Sequence, residues 1–190
     1  KKAYTVAELG IKVFHPKNLR PLSLSNTFIK LVASSMKIML CKIVDPHISI
    51  TQKCIAGRIL LDNVLEMDTI MHLYSFLYPD NAATFLFDFS AAFPSVCHPY
   101  IWRILKVFGI PSSFINAIKK LYANNFHFIK FGSTLTAGPL ILTGVRQGCP
   151  LSMIIFAICV EPLLRLLKKY IKDNGCIGAF ADDIGIVLKN

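Results

Sequence analysis

Residues 177–188 read Ile-Gly-Ala-Phe-Ala-Asp-Asp-Ile-Gly-Ile-Val-Leu and predict a β-hairpin with Asp182 and Asp183 at its turn. Upstream, residues 84–88 (Thr-Phe-Leu-Phe-Asp) predict a buried central strand that ends at Asp88. A buried carboxylate is costly unless it is paired or bound to a metal ion. Carboxylates gathered from distant parts of a chain at strand ends therefore indicate a divalent-cation site, and hard oxygen ligands suit Mg²⁺.

The two adjacent aspartates are not equivalent in this prediction. Neighbours in a strand point to opposite faces, so we expect Asp182 to be the main ligand and Asp183 an auxiliary one. Each block has an ordinary alternative when it is taken alone. Asp182 and Asp183 could form a plain polar turn, and Asp88 could cap a helix after a strand. A third block favours the metal site over both alternatives.

That third block is residues 144–152, Gly-Val-Arg-Gln-Gly-Cys-Pro-Leu-Ser. Glycines such as Gly144 and Gly148 let a backbone approach a base or sugar closely. Arg146 can pair with a phosphate, and Gln147 can hydrogen-bond a base or sugar edge. The alternative is an ordinary loop before a helix. The specificity of this nine-residue string argues against that alternative. The block indicates a contact with a nucleotide or a template.

The rest of the chain alternates helices and strands without regular βαβ spacing. Apolar periodicity and breaker residues predict helices at 27–44, 58–78, 99–108, 111–122 and 150–170, and strands at 126–131 and 140–143 that could pair. This order favours an α+β domain with a mostly antiparallel sheet covered by helices on one face. The glycine-rich phosphate loops of dinucleotide-binding and Walker-type proteins are missing from the sequence.

Composition narrows the class of partner. The 190 residues carry a formal net charge of +10 with only 17% charged residues, which suits a polyanionic partner, although charge alone leaves solvated lysine faces as an equal alternative. Apolar residues reach 54%, but the longest clean apolar run, 153–160, is too short to span a bilayer. The six cysteines form no CxxC pair and have no histidine at zinc-ligand spacing, so we interpret them as reduced thiols of an intracellular protein.

The three blocks, in this order, resemble the polymerase core of reverse transcriptases, most closely the type found in non-LTR retrotransposons. The resemblance spans about residues 15–189. It implies a right-hand polymerase palm with fingers, in which an antiparallel palm sheet is backed by helices. Residues 1–80 would hold the fingers and part of the palm, and residues 81–190 the palm with the catalytic motifs and, in one arrangement, a fingers segment. We expect the thumb to be absent from these residues.

The resemblance also assigns roles to individual residues. Asp88, Asp182 and Asp183 would be the catalytic metal ligands for two Mg²⁺ ions, with Mn²⁺ as a substitute. Phe93 would exclude a ribose 2′-hydroxyl, although a core phenylalanine is the alternative. Arg20, within a fingers-like motif at residues 18–26, would contact the incoming triphosphate, although a surface arginine is the alternative.

The remaining roles fall on the glycine-flanked loop and its surroundings. Gln147 and Gly148 would contribute to the nucleotide pocket, and Arg146 and Gly144 to template or primer contacts. Residues 52–64 resemble a further family block with packing or template roles. Departures from the family pattern, such as Pro94 and Met153, remove no catalytic carboxylate.

The resulting prediction is an RNA-directed DNA polymerase that uses an RNA template, a DNA primer and deoxynucleoside triphosphates. We expect it to act inside the cell, on nuclear or cytoplasmic nucleic acid. We expect no membrane partner. The thumb and an endonuclease of a longer parent protein would be further partners. The alternative function is a catalytically inactive nucleic-acid-binding remnant of a retroelement. A second alternative is an inert fragment that aggregates through exposed apolar surface.

Overall fold

The computed structural model describes residues 3–6, 11–14, 24–123, 128–138 and 140–189. It confirms the predicted α+β class, with antiparallel sheets and six α-helices in the described residues. Arg20 and most of the fingers-like motif at residues 18–26 lie outside the described residues.

The sheet that carries the aspartates has three strands in the order β3 (Ala83–Phe87), β7 (Asp183–Leu188) and β6 (Gly175–Phe180), all antiparallel. The prediction of a buried central strand before Asp88 is wrong, because β7 is central and β3 forms an edge. The side chain of Leu86 on β3 is 81% exposed. An apolar run indicates a strand, but it does not say which neighbours will cover that strand.

The other four strands of the described residues form two hairpins. β1 (Ala3–Val6) pairs with β2 (Ile11–Phe14), and β4 (Phe128–Phe131) pairs with β5 (Thr134–Ala137). The predicted pairing of 126–131 with 140–143 is therefore wrong. β4 pairs with the nearer strand β5 because a two-residue turn, with Gly132 at φ 59°, closes the hairpin locally. In place of a strand, Thr143 makes a single antiparallel bridge to Cys97.

Five of the six helices lie where apolar periodicity predicted them. The six are α1 (Thr27–Val44), α2 (Leu60–Leu77), α3 (Ala92–Ser95), α4 (His98–Val107), α5 (Ser112–Tyr122) and α6 (Ser152–Ile171), of which the short helix α3 was not predicted. The predicted bounds of α1 are confirmed at both ends, and Asn26 caps this helix by accepting a 2.9 Å hydrogen bond from the Ile29 backbone N–H. None of the helices in the described part of the chain is long and apolar enough to cross a membrane.

The core forms around α6, whose first ten residues are all buried except the half-buried Met153. One face of the three-stranded sheet joins this core through Ile177, Ala179, Ile184 and Ile186. Helix α2 lies over the opposite face, where Met67 packs on the paired glycines Gly178 and Gly185. The expected cover by helices on one face alone is thus wrong, because these paired glycines leave room for a second helix on the other face.

Candidate functional site

The aspartates lie towards the same end of the three-stranded sheet. Phe87, the last residue of β3, pairs with Ile184 on β7, so Asp88 follows β3 at the end of the sheet where Asp183 begins β7. Phe180 on β6 pairs with Asp183 itself, which leaves Ala181 and Asp182 as the two turn residues. Asp183 is therefore the first residue of β7 rather than part of the turn. The side chain of Asp182 is half-buried, whereas Asp88 and Asp183 are exposed.

The turn has an unusual backbone. Ala181 adopts a left-handed conformation with φ 54° although it is not a glycine, and it is buried. A positive φ at only the first central residue is the pattern of a type II′ turn, in which glycine normally occupies this place. The left-handed region costs an ordinary residue about 1–2 kcal/mol. Such a conformation persists only where the surrounding contacts hold it.

The residue that holds the turn is Gln52. Its side chain is fully buried, and its Oε1 accepts a 2.9 Å hydrogen bond from the Ala181 N–H while its Nε2 donates to the Ala181 carbonyl at 3.3 Å. The flanking backbone pairs with the outer edge of β6, because the Lys53 N–H donates to the Ala179 carbonyl at 2.9 Å and the Ala179 N–H donates to the Thr51 carbonyl at 3.0 Å. Sequence reasoning missed this role, since no local pattern indicates a contact across 129 residues.

The loop around Gln52 is itself braced from two sides. The Arg58 guanidinium donates to the carbonyl oxygens of Ser49 at 2.5 Å and Gln52 at 2.9 Å. From α6, the buried carboxylate of Glu161 accepts hydrogen bonds from the Ser49 N–H at 3.0 Å, the Ser49 hydroxyl at 2.8 Å and the Arg165 Nε at 2.8 Å. These charge-assisted bonds connect α6 to the loop that contacts the turn.

The glycine-flanked loop docks on the segment that follows Asp88. The Gly144 N–H donates to the Val96 carbonyl and the Val145 N–H donates to the Phe93 carbonyl, both at 2.7 Å. Gly144 has φ 88°, and a Cβ atom there would lie 2.7 Å from the Pro94 Cα. The glycine is thus required by its own conformation and by the close approach of Pro94.

Arg146 fixes the same loop to α5. Its guanidinium lies 5.1 Å from the centre of the Tyr122 ring and donates to the carbonyl oxygen of Leu121. A cation at the C-terminus of a helix is also favoured by the helix dipole. Burial raises the pKa of Tyr122 to about 12, so its hydroxyl stays protonated beneath the arginine. Beyond Arg146, Gln147 is half-buried and Gly148 is exposed with φ 94°.

Phe93 packs against the core, and its contact with a ribose 2′-hydroxyl stays a prediction. It is half-buried, and its ring stacks on Phe156 of α6 with 4.5 Å between ring centroids and 17° between ring planes. It belongs to the short helix α3, which follows the left-handed residue Ala91. The ring is therefore anchored on the core, close in sequence to Asp88.

The aspartates carry oxygen donors of the kind that Mg²⁺ prefers. Within the part of the chain that the structure describes, no three Asp, Glu, His or Cys side chains lie close enough together to hold a metal ion, so Asp88, Asp182 and Asp183 do not form a complete three-ligand site. Mg²⁺ commonly needs only one or two carboxylates and completes its shell with water and substrate phosphates. Hard carboxylate oxygens at the end of the sheet, from Asp88 and the Asp182 turn, are donors of that kind.

All six cysteines are free. Burial raises the pKa of Cys54, beside the turn, to about 11, and that of Cys159, on α6, to about 12. These thiols therefore stay neutral near pH 7 and pack as small apolar groups.

The sheet with its acidic end and its helical cover is a palm-like polymerase fold. The family model described as reverse transcriptase (RNA-dependent DNA polymerase) matches residues 2–190. This chain belongs to that family, and its relatives place it with the non-LTR type.

The relatives are proteins of transposable elements. The chain is 31% identical over 186 residues to the transposon TX1 uncharacterized 149 kDa protein of Xenopus laevis, which covers 92% of this chain and 14% of that protein. It is 32% identical over 102 residues to a retrovirus-related Pol polyprotein from the type-2 retrotransposable element R2DM of Drosophila melanogaster, covering 51% of this chain and 10% of that protein. The chain thus spans a small part of these relatives.

A solved structure supports the fold alone. Telomerase from Candida albicans, in complex with a TWJ fragment of telomeric RNA, superposes with a TM-score of 0.58 at 12% sequence identity. The match covers 84% of this chain and 30% of the telomerase chain.

Proposed function

We propose that this chain forms the fingers and most of the palm of an RNA-directed DNA polymerase, which adds deoxynucleotides to the 3′-end of a primer on an RNA template. The observation that carries the proposal is the strand register, in which β3 ends just before Asp88 at the same end of the sheet as the Asp182 turn and the start of β7 at Asp183. The net charge of +10 suits a nucleic-acid backbone as the partner. Family membership adds the reaction class.

In this proposal Asp88 and Asp182 are the principal metal ligands, and Asp183 assists them. When bound, two Mg²⁺ ions, or Mn²⁺ in their place, supply Lewis-acid activation of the primer 3′-hydroxyl and neutralise charge on the leaving pyrophosphate. The chain itself contributes by holding these carboxylates in position. The β3–β7 pairing fixes the spacing between Asp88 and β7, and Gln52 fixes the backbone before Asp182.

The nucleotide and the template would lie beside this acidic group. We assign the nucleotide pocket to Phe93, Gln147 and Gly148, together with Arg20. Phe93 suits the exclusion of a 2′-hydroxyl because its ring is held against Phe156 and resists displacement.

Template or primer contacts are assigned to Gly144 and Arg146. These residues anchor the loop on Pro94 and on α5, so their effect on the template would pass through the placement of Gln147 and Gly148.

The division into fingers and palm follows the same proposal, with the fingers and part of the palm in residues 1–80 and the palm in residues 81–190. The pairing of residues 51–53 with β6 supports a palm contribution from the first 80 residues. The partners would be the RNA template, the DNA primer, deoxynucleoside triphosphates, and the thumb and endonuclease regions of a longer polypeptide.

The test is primer extension on poly(rA)/oligo(dT) with Mg²⁺, with the chain expressed together with its natural flanking sequence. We expect extension by the wild-type protein and none by Asp182→Asn, while both bind the primer–template equally in a separate titration. Binding without extension by either protein would contradict the proposed activity and favour an inactive nucleic-acid-binding remnant.

A further inference from the structure

We propose that Gln52 is a positioning residue for the catalytic turn: it holds Ala181 in its left-handed conformation and thereby sets the place of the Asp182 carboxylate. This inference rests on the proposed polymerase function and deepens it. The hydrogen bonds of the Gln52 side chain go to the backbone of Ala181 and Cys54 rather than to the three aspartate side chains, so its action would be indirect.

The chemistry of a carboxamide fits this task. Gln52 accepts from the N–H and donates to the carbonyl of the same residue, Ala181, with distances of 2.9 Å and 3.3 Å. Among neutral side chains only Asn and Gln carry an acceptor and a fixed N–H donor side by side. Ala181 has no polar side chain of its own to stabilise a positive φ. A turn released from this pair would adopt a less strained conformation and carry Asp182 with it.

Gln52 is also rigid enough to serve as a support. Its side chain is fully buried, and its Oε1 accepts a second hydrogen bond from the Cys54 N–H at 3.3 Å. Arg58 binds the Gln52 carbonyl, and Glu161 on α6 binds Ser49 in the same loop. A continuous series of hydrogen bonds thus connects the turn to α6, the longest helix of the core. A support of this kind fixes the geometry of the groups that do the chemistry.

Asn63 offers a matched control. It is also a buried primary amide, and its Nδ2 donates to two backbone carbonyls, those of Thr51 at 2.8 Å and Ala179 at 3.0 Å. It therefore braces the same loop and the same strand but stops two residues short of the turn. Replacing Gln52 or Asn63 by leucine removes a comparable amide from a comparable site, and only the first change reaches Ala181.

The experiment compares Gln52→Leu with Asn63→Leu in the chain with its natural flanking sequence. Three quantities are measured: the rate of single-turnover nucleotide incorporation with the apparent nucleotide Kd, the binding of Mn²⁺ by electron paramagnetic resonance, and the melting temperature. For Gln52→Leu we expect incorporation to fall roughly 10²-fold, since a misplacement of about 1 Å has an effect of that size. Its Mn²⁺ binding should weaken, while its primer–template affinity stays unchanged. Asn63→Leu should lose a similar amount of melting temperature but reduce incorporation clearly less than Gln52→Leu does, because it does not reach Ala181.

A second variant tests the donor separately. In Gln52→Glu an ionised carboxylate can still accept from the Ala181 N–H, but it faces the Ala181 carbonyl without a proton to donate. Burial beside Asp182 should raise the pKa of this glutamate, and its protonated form restores a donor and an acceptor. The incorporation rate of Gln52→Glu relative to wild type should therefore rise as pH falls. Gln52→Leu should show no such recovery.

The outcomes separate this inference from the proposed function. Should both leucine variants lose incorporation and Mn²⁺ binding equally, or should the relative rate of Gln52→Glu stay flat with pH, Gln52 is merely structural and the inference is overturned. Failure of the wild-type protein to extend a primer contradicts the proposed function instead. In that case the Mn²⁺ and melting measurements still decide whether Gln52 controls the turn.

Discussion

The two sides of the acidic site are built differently. The β6–β7 turn that carries Asp182 is enclosed, with the backbone of Ala181 tied to a buried Gln52. The end of β3 that carries Asp88 lies at the edge of the sheet, and the side chains of Phe85 and Phe87 before it are 45% and 49% exposed. One side of the site is therefore fixed by hydrogen bonds from within the fold, and the other is held by its pairing with β7.

This difference indicates that the two sides of the site serve different purposes. The enclosed turn supplies a fixed reference for one carboxylate, because its strained backbone is held on both polar atoms. The open side leaves room for large ligands beside Asp88, and the loop around Gly144 docks on the segment that follows it.

The largest effect is expected from the carboxylates themselves. Asp88→Asn and Asp182→Asn should each reduce primer extension on the order of 10³-fold or more, because each removes charge from the cation site. Asp183→Asn should reduce it less, as expected for an auxiliary ligand. The measurement is single-turnover nucleotide incorporation, and Asp80→Asn, in the exposed turn before β3, serves as the control. Equal and small effects in all four variants would contradict the site.

The next effect concerns the free energy of unfolding, to which the hydrogen bonds that Glu161 makes on the enclosed side should contribute strongly. Glu161→Ala leaves the half-buried Ser49 donors without their acceptor and opens a cavity, so we expect a loss of about 3 kcal/mol in the free energy of unfolding. The control is Asp68→Ala, which removes another i,i+4 pair, the exposed contact with His72 at 3.6 Å, and should change stability by less than about 0.5 kcal/mol. Urea unfolding measures both. A similar small loss in the two variants would show that Glu161 does not brace the loop.

The anchor of the open side can be tested with a pair of glycines. Gly144 and Gly57 have φ 88° and 87°, but only Gly144 has a backbone, that of Pro94, where a Cβ atom would lie. Gly57→Ala should cost about 1 kcal/mol for the left-handed conformation alone. Gly144→Ala should cost about 2 kcal/mol more because the loop must move away from Pro94. Thermal or urea unfolding gives the difference, and equal losses would argue against the close packing.

The smallest effect concerns a thiol next to the enclosed turn. Burial raises the pKa of Cys54 from its ordinary value of 9.0 to about 11, so at pH 8 it should react with iodoacetamide roughly a hundredfold more slowly than an unshifted thiol. Because the folded pKa is raised, the neutral thiol stabilises the fold below about pH 9, and this contribution is lost as the pH rises through about 11. Mass spectrometry of alkylated peptides should find the exposed Cys97 modified first. Early modification of Cys54 would show that the turn opens readily.

The sequence predicted what is encoded locally. The bounds of α1 followed from apolar periodicity and the breaker Asp45-Pro46, and the hairpin around Asp182 followed from short apolar runs that flank two aspartates. The family blocks then indicated which of these elements carry the chemistry. The proposed roles of individual site residues stay predictions.

What the sequence missed depends on distant contacts. The edge position of β3 is set by strand order, which apolar character does not encode. The strand predicted at 140–143 lost its partner to the nearer β5, because a short turn closes at a lower entropic cost. Gln52 lies in an irregular stretch, and its contact with Ala181 follows only once β6 is paired with residues 51–53.

The most direct test of the central claim is to locate the bound cation. Fe²⁺ is substituted for Mg²⁺ in the chain with its natural flanking sequence, and hydroxyl radicals generated at the iron cut the nearby backbone. We predict two groups of cuts, one around Asp88 and one around Asp182, both of which disappear in Asp182→Asn. Cuts at only one of these positions, or cuts that persist in the variant, would contradict a single acidic site assembled from the end of β3 and the β6–β7 turn.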